Sequence, residues 1–136
     1  MRNRRNKIHE LPKGLFKNQS QLTEIDLPRN DISVIQRGVF RGASAVETLN
    51  LERNHLERLE ANVFRGLTNL RELKLAGNRL MLIDSKAFRA LRQLEKLDLR
   101  ANRLRDLKYM NCDKDDLAVA SSTDHDVTRL LQKLVS

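Results

Sequence analysis

The 136-residue sequence is poor in the residues that staple small domains or build reaction centres: it has one cysteine, Cys112, no tryptophan and one tyrosine. A single thiol supports neither an internal disulfide framework nor a cysteine-rich zinc centre. The longest apolar runs are four residues, 80–83 and 117–120, against the ~20 needed to cross a bilayer, so no membrane insertion is expected. No apolar segment follows the basic stretch 1–7, and no secretory leader is read there. The chain is therefore either intracellular or part of a longer one. His9, His55 and His125 are scattered, and the sequence holds no glycine-rich phosphate loop, HExxH or GxSxG, so neither an enzyme nor a cofactor is expected. Asp113, Asp115, Asp116, Asp124 and Asp126 lack the glycine and terminal glutamate of a calcium loop, and no metal is expected.

What is abundant is leucine, 24 residues of it. Apolar side chains make up 40% of the chain and charged ones 32%, which suits one folded domain. The net charge of +8 favours polyanionic partners without choosing among them. Leu22, Val46, Leu70 and Leu94 are spaced by 24 residues, as are Ile25, Leu49, Leu73 and Leu97, and Leu27, Leu51, Leu75 and Leu99. Asn30, Asn54, Asn78 and Asn102 follow the same step, as do Phe16, Phe40, Phe64 and Phe88. A fixed period of this size marks a stack of structural units, here starting at 22, 46, 70 and 94 after a partial N-terminal one.

Within a unit, Glu24-Ile25-Asp26-Leu27 alternates polar and apolar, the period of a half-buried strand, with Ile25 and Leu27 inward and Glu24 and Asp26 outward. Stacked units then build a parallel β-sheet. The asparagine amide is expected to bond backbone groups where the chain leaves the strand, and the phenylalanines to stack as a spine. The stretch before Asn6, with Asn3 in the place of Leu27, predicts a missing or poorly formed first strand. After Leu107 the pattern dissolves. Residues 123–135 carry capping-box spacing and place Val127, Leu130, Leu131 and Leu134 on one helical face, which predicts a short helix capping the open end. The expected fold is an α/β repeat solenoid: residues 1–107 form a right-handed horseshoe segment with a concave parallel sheet, and 108–136 form an atypical tail with that C-terminal helix.

The unit L-x-x-L-x-L-x-x-N-x-L-x-x-L with its trailing F-x-x-L resembles the extracellular-type leucine-rich repeat family. Within it, residues 6–107 are most similar to the repeat domains of Slit axon-guidance proteins, through FRGASAV at 40–46, LFKNQSQLTEIDL at 15–27 and NHLERL at 54–59. The resemblance implies a secreted or cell-surface binding module, with a Roundabout-type receptor and heparan sulfate as partners. The cysteine-rich flanks usual in that family are absent here, which keeps an intracellular leucine-rich repeat scaffold in play.

A curved sheet presents rows of outward side chains on a rigid frame. The expected protein-binding face comprises Glu24, Asp26, Arg29, Asn50, Glu52, Arg53, Glu72, Lys74, Lys96, Asp98 and Arg100. Directly after each spine phenylalanine comes a base, Lys17, Arg41, Arg65 or Arg89. Such a ladder of like charge suits a linear polyanion of the heparan sulfate type. No exposed aromatics are expected to stack bases, so nucleic acid is not an expected partner. Asn18-Gln19-Ser20 is a glycosylation acceptor in a loop that should be exposed.

Overall fold

The computed structural model describes residues 1–2, 7–84 and 86–104. The tail 108–136, with the helix expected over 123–135, lies outside the described residues. Eight short strands follow one another among those described: β1 (Glu10–Leu11), β2 (Glu24–Asp26), β3 (Val34–Ile35), β4 (Thr48–Asn50), β5 (Arg58–Leu59), β6 (Glu72–Lys74), β7 (Leu82–Ile83) and β8 (Lys96–Asp98). Strands β2, β4, β6 and β8 make one parallel sheet in that order. Ile25 lies beside Leu49, Leu49 beside Leu73 and Leu73 beside Leu97, as the 24-residue period requires.

These four residues, and Leu27, Leu51, Leu75 and Leu99 two positions on, are all but fully buried. The ladder runs on past the strands. The amides of Leu27, Leu51 and Leu75 donate to the carbonyls of Asn50, Lys74 and Asp98 at 2.8–2.9 Å. Those of Arg29, Arg53 and Gly77 donate to Glu52, Ala76 and Arg100 at 2.9–3.0 Å. At the opposite edge β2 meets the N-terminus: the Asp26 amide donates to the Met1 carbonyl at 2.7 Å, and Arg2 forms a lone parallel bridge with Asp26. Residues 3–6, and with them most of the first strand expected to be missing or poorly formed, lie outside the described residues.

Where the chain leaves the sheet, the asparagines close each turn. Asn54 Nδ2 donates to the carbonyls of Leu51 in its own turn and Leu27 in the previous one, both at 3.0 Å. Its Oδ1 accepts the amide of Ile32 at 3.1 Å. Asn78 repeats the pattern on Leu75, Leu51 and Leu56, and Asn102 on Leu99, Leu75 and Leu80. The tight exit puts the preceding residue in the left-handed region: Arg29, Arg53 and Ala101 have φ of 56° and Gly77 has 72°.

Ten residues after β2, β4 and β6 come β3, β5 and β7, which with β1 form a second ladder pairing β1 with β3 and β5 with β7, and it breaks between β3 and β5. Beyond it the phenylalanines lie in a buried row, with ring centroids 5.7, 5.9 and 6.0 Å apart. Strands in a sheet advance by only ~4.8 Å. The phenylalanine side therefore advances further per turn than the sheet side, which places the four-stranded sheet on the inside of the bend. The phenylalanine segments are successive turns, as in Leu15 to Pro12, Lys17 to Gly14, Gln19 to Phe16 and Leu22 to Gln19. Close stacking there demands glycine: a Cβ on Gly66 would lie 2.3 Å from the Phe40 carbonyl oxygen, and one on Gly42 2.8 Å from that of Phe16.

Replacing Asn78 with alanine strands two carbonyls and one amide in a buried position, at roughly 1–3 kcal/mol for each group left without a partner. Asn78→Ala is expected to lower unfolding free energy by about 3 kcal/mol in urea denaturation. Asn69→Ala, which removes one exposed bond to the Ser44 carbonyl, is expected to cost no more than about 0.5 kcal/mol.

Candidate functional site

Two surfaces carry the side chains singled out in the sequence. On the sheet, register places Glu24, Thr48, Glu72 and Lys96 in one row and Asp26, Asn50, Lys74 and Asp98 in the next. The second row is tied together locally. Asn50 Nδ2 donates to Asp26 Oδ1 at 2.9 Å, while Asn50 Oδ1 accepts the Glu52 amide at 3.0 Å. Lys74 Nζ stands 3.7 Å from Glu72 Oε1. Arg100 grips Asp98 with both Nε and Nη2, at 2.8 and 2.7 Å, and adds its own amide at 3.1 Å.

One expectation about this face needs correction. Asp26 points outward in the strand alternation but is only 2% exposed. Asn50 and the Arg2 guanidinium, whose Nε lies 3.8 Å from Asp26 Oδ2, cover it. Asp26 therefore organises its neighbours instead of offering an open carboxylate. Glu24, Arg29, Arg53, Lys96 and Arg100 are exposed, whereas Asn50, Glu52, Glu72, Lys74 and Asp98 are half-buried.

The two-pronged bond from Arg100 holds the Asp98 carboxyl below the usual carboxylate range. Partial burial opposes this shift, while the Arg100 amide and the charges of Arg100 and Lys74 reinforce it. A carboxyl with a depressed folded-state pKa adds stability above its unfolded pKa and loses that stability as pH falls through the folded value.

The second surface lies along the phenylalanine turns. Lys17, Arg41, Arg65 and Arg89 are exposed, and each donates its amide to the carbonyl three residues back: Gly14, Gly38, Asn62 and Lys86. Four equivalent turns therefore present four bases at successive steps. In the first two turns they border an open groove of about 460 Å³, lined by Lys13, Gly14, Lys17, Asn18, Gly38, Arg41 and Gly42. The stems of Lys13 and Arg41 converge over Gly38. A Cβ on that glycine would meet Lys13 Cε at 3.7 Å and Arg41 Cδ at 3.9 Å. Among the described residues, none of Lys13, Lys17, Arg41, Arg65 and Arg89 reaches a carboxylate. The expected glycosylation acceptor, Asn18, is exposed in a turn at φ 65° and forms part of the groove. The spacing singles out the base after each phenylalanine but neither Lys13 nor the groove, for which glycine at 14, 38 and 42 is the available signal.

No group of three or more histidine, cysteine, aspartate or glutamate side chains could hold a metal among the described residues. No described helix is long and apolar enough to cross a membrane.

The leucine-rich repeat family model matches residues 4–56 and 44–104. A solved TLR13–ssRNA13 complex is similar at 36% identity over 77% of this chain and 15% of that one, with a TM-score of 0.70. The Toll–Spatzle complex of Drosophila is similar at 29% identity over 89% of this chain and 16% of that one, with a TM-score of 0.72, and its glycosylated form gives the same values. The chain thus spans about one sixth of the length of these solved chains. No relative among curated proteins matches it.

Arg100→Gln removes the main cause of the Asp98 shift and leaves the carboxyl partly buried. Carboxyl-carbon NMR titration is expected to show the Asp98 midpoint rising in the variant. The wild-type chain should lose stability, relative to Arg100→Gln, as pH falls below about 3.9, the usual aspartate value.

Proposed function

We propose that this chain, which belongs to the leucine-rich repeat family, is a non-enzymatic recognition module that docks a protein partner on the face of its four-stranded sheet. The observation that carries this reading is the tethered row Asp26, Asn50, Lys74 and Asp98, whose side chains are already held by neighbours. Side chains ordered before docking lose less entropy when a partner arrives. The exposed Arg53 and Arg100 beside that row are of the residue type that anchors interfaces.

The finer identity rests on the resemblance of residues 40–46 and 15–27 to Slit proteins. On that reading the module belongs to a longer, secreted axon-guidance protein, and its partner is a Roundabout-type receptor. The bases Lys17, Arg41, Arg65 and Arg89, which reach no carboxylate among the described residues, support a second contact, with heparan sulfate along the outer flank. An intracellular scaffold is the competing assignment, and it places no sulfated polysaccharide at that flank. The solved neighbours, one bound to single-stranded RNA and one to the Spatzle protein, make RNA the natural competitor in such an assay.

Exchanging the mid-sheet charges, Glu72→Lys with Lys74→Glu, keeps net charge and is expected to weaken binding to a Roundabout-type receptor ectodomain at least tenfold in surface plasmon resonance. Unchanged affinity contradicts the sheet-face reading, and no binding by the parent chain contradicts the receptor assignment.

On immobilised heparin, with both proteins made in bacteria and free of glycan, the combined Lys17→Ala, Arg41→Ala, Arg65→Ala and Arg89→Ala variant is expected to elute at lower salt than the parent. Each cation that engages a polyanion contributes roughly 0.7–0.9 to the slope of log affinity on log salt, so the slope should fall by about 3. Elution at the same salt, or displacement of the parent by single-stranded RNA in preference to heparin at equal charge, contradicts the heparan sulfate assignment.

A further inference from the structure

The groove bordered by Lys13, Lys17 and Arg41 has an N-glycosylation acceptor among its lining residues. Asn18 lies on its lining and is the acceptor in Asn18-Gln19-Ser20, with Asn18 and Ser20 both exposed. Its place in the repeat is distinctive. The same position in the next two turns is Gly42 and Gly66, where a Cβ would strike the carbonyl oxygen of Phe16 or Phe40. In the first turn the position carries a full side chain on a left-handed backbone at φ 65°, a conformation asparagine adopts more readily than most residues. The acceptor therefore stands where the next two turns leave no room for a side chain, beside the bases that converge over Gly38; the fourth turn carries Ala90 at this position.

We propose that Asn18 is N-glycosylated and that its glycan covers the Lys13, Lys17 and Arg41 groove, so that this end of the basic flank meets polyanions only when Asn18 is unmodified. In the modification, Asn18 Nδ2 forms a bond to the anomeric carbon of a lipid-pyrophosphate-linked oligosaccharide and loses a proton. The bond from that carbon to the pyrophosphate oxygen breaks, and the lipid pyrophosphate leaves. The attached sugar is bulky and hydrophilic, and the groove is only about 460 Å³ and open to solvent. Sugar rooted in its lining stands between the three cations and an approaching sulfated chain. This inference rests on the polyanion reading of the flank.

The test compares the full chain made in a secreting cell with its Asn18→Gln and Ser20→Ala variants. Both substitutions abolish the acceptor, and Ser20→Ala keeps Asn18 itself. Mass spectrometry is expected to show a glycan on the parent and none on either variant. On a heparin column both variants are expected to elute at higher salt than the glycosylated parent. Their slope of log affinity on log salt should be steeper by about 2, the contribution of three cations at roughly 0.7 each. Adding Lys13→Ala, Lys17→Ala and Arg41→Ala to Ser20→Ala should remove that difference. A secreted parent without glycan at Asn18 overturns the proposal. Equal elution of the glycosylated parent and both variants, with the triple substitution still weakening retention, overturns the covering role and leaves the polyanion reading standing. No effect of the triple substitution overturns the polyanion reading, and this proposal with it.

Discussion

The structure depends on how each turn disposes of the backbone groups it cannot pair within itself. A chain that leaves a three-residue strand and doubles back buries carbonyls and amides with no regular partner, at a cost of about 1–3 kcal/mol each if they stay unmatched. In three successive turns one asparagine, Asn54, Asn78 or Asn102, answers for at least three of them. Asn54 serves carbonyls in its own turn and the preceding one, and takes an amide from the preceding turn. The bond set is thus both a clasp within a turn and a bolt between turns. Its geometry tolerates no slip: moving the register by one residue would displace the asparagine and turn Leu49 or Leu73 out to solvent.

That frame leaves two kinds of charged surface. On the sheet face the charges are largely settled among themselves, Asp98 by Arg100, Asp26 by Asn50 and Arg2, and Glu72 beside Lys74. Such a face is a shaped, ordered surface of modest net field, suited to a partner that matches it. Along the phenylalanine turns the bases are not settled. The spine needs aromatic rings inside and, at Gly42 and Gly66, glycine where turns touch, and the position directly after each ring is free to carry a cation outward. Repetition of the fold converts one such cation into a row.

Much of this was legible in the sequence because repetition multiplies weak signals. Leucine at one position says little, whereas Ile25, Leu49, Leu73 and Leu97 at equal steps fix the strand, its inward face and its partner. The phenylalanine spine and the asparagines follow by the same logic. What escaped was not repeated or not apolar. The 24-residue step sets Arg2 and Asn50 beside Asp26, but the residue types in that column do not repeat, so the spacing alone does not show that these two side chains bury it. Strands β1, β3, β5 and β7 are two residues long, too short to show an alternation. The left-handed backbone at Arg29 and Arg53 is hidden because arginine rarely marks it, and only Gly77 in that column hinted at it. The helix expected over 123–135 falls outside the described residues.

The asparagine clasp, and not the sheet alone, locks the turns together. Amide hydrogen exchange under native conditions tests it directly at Ile32 and Leu56, whose amides lie outside the four-stranded sheet and donate to Asn54 and Asn78 side chains at 3.1 Å. These two amides are expected to exchange as slowly as those of Leu49 and Leu73 at the centre of the sheet. Exchange at the rate of the exposed turn amides, such as Gly14, would show that the clasp opens independently and would contradict it.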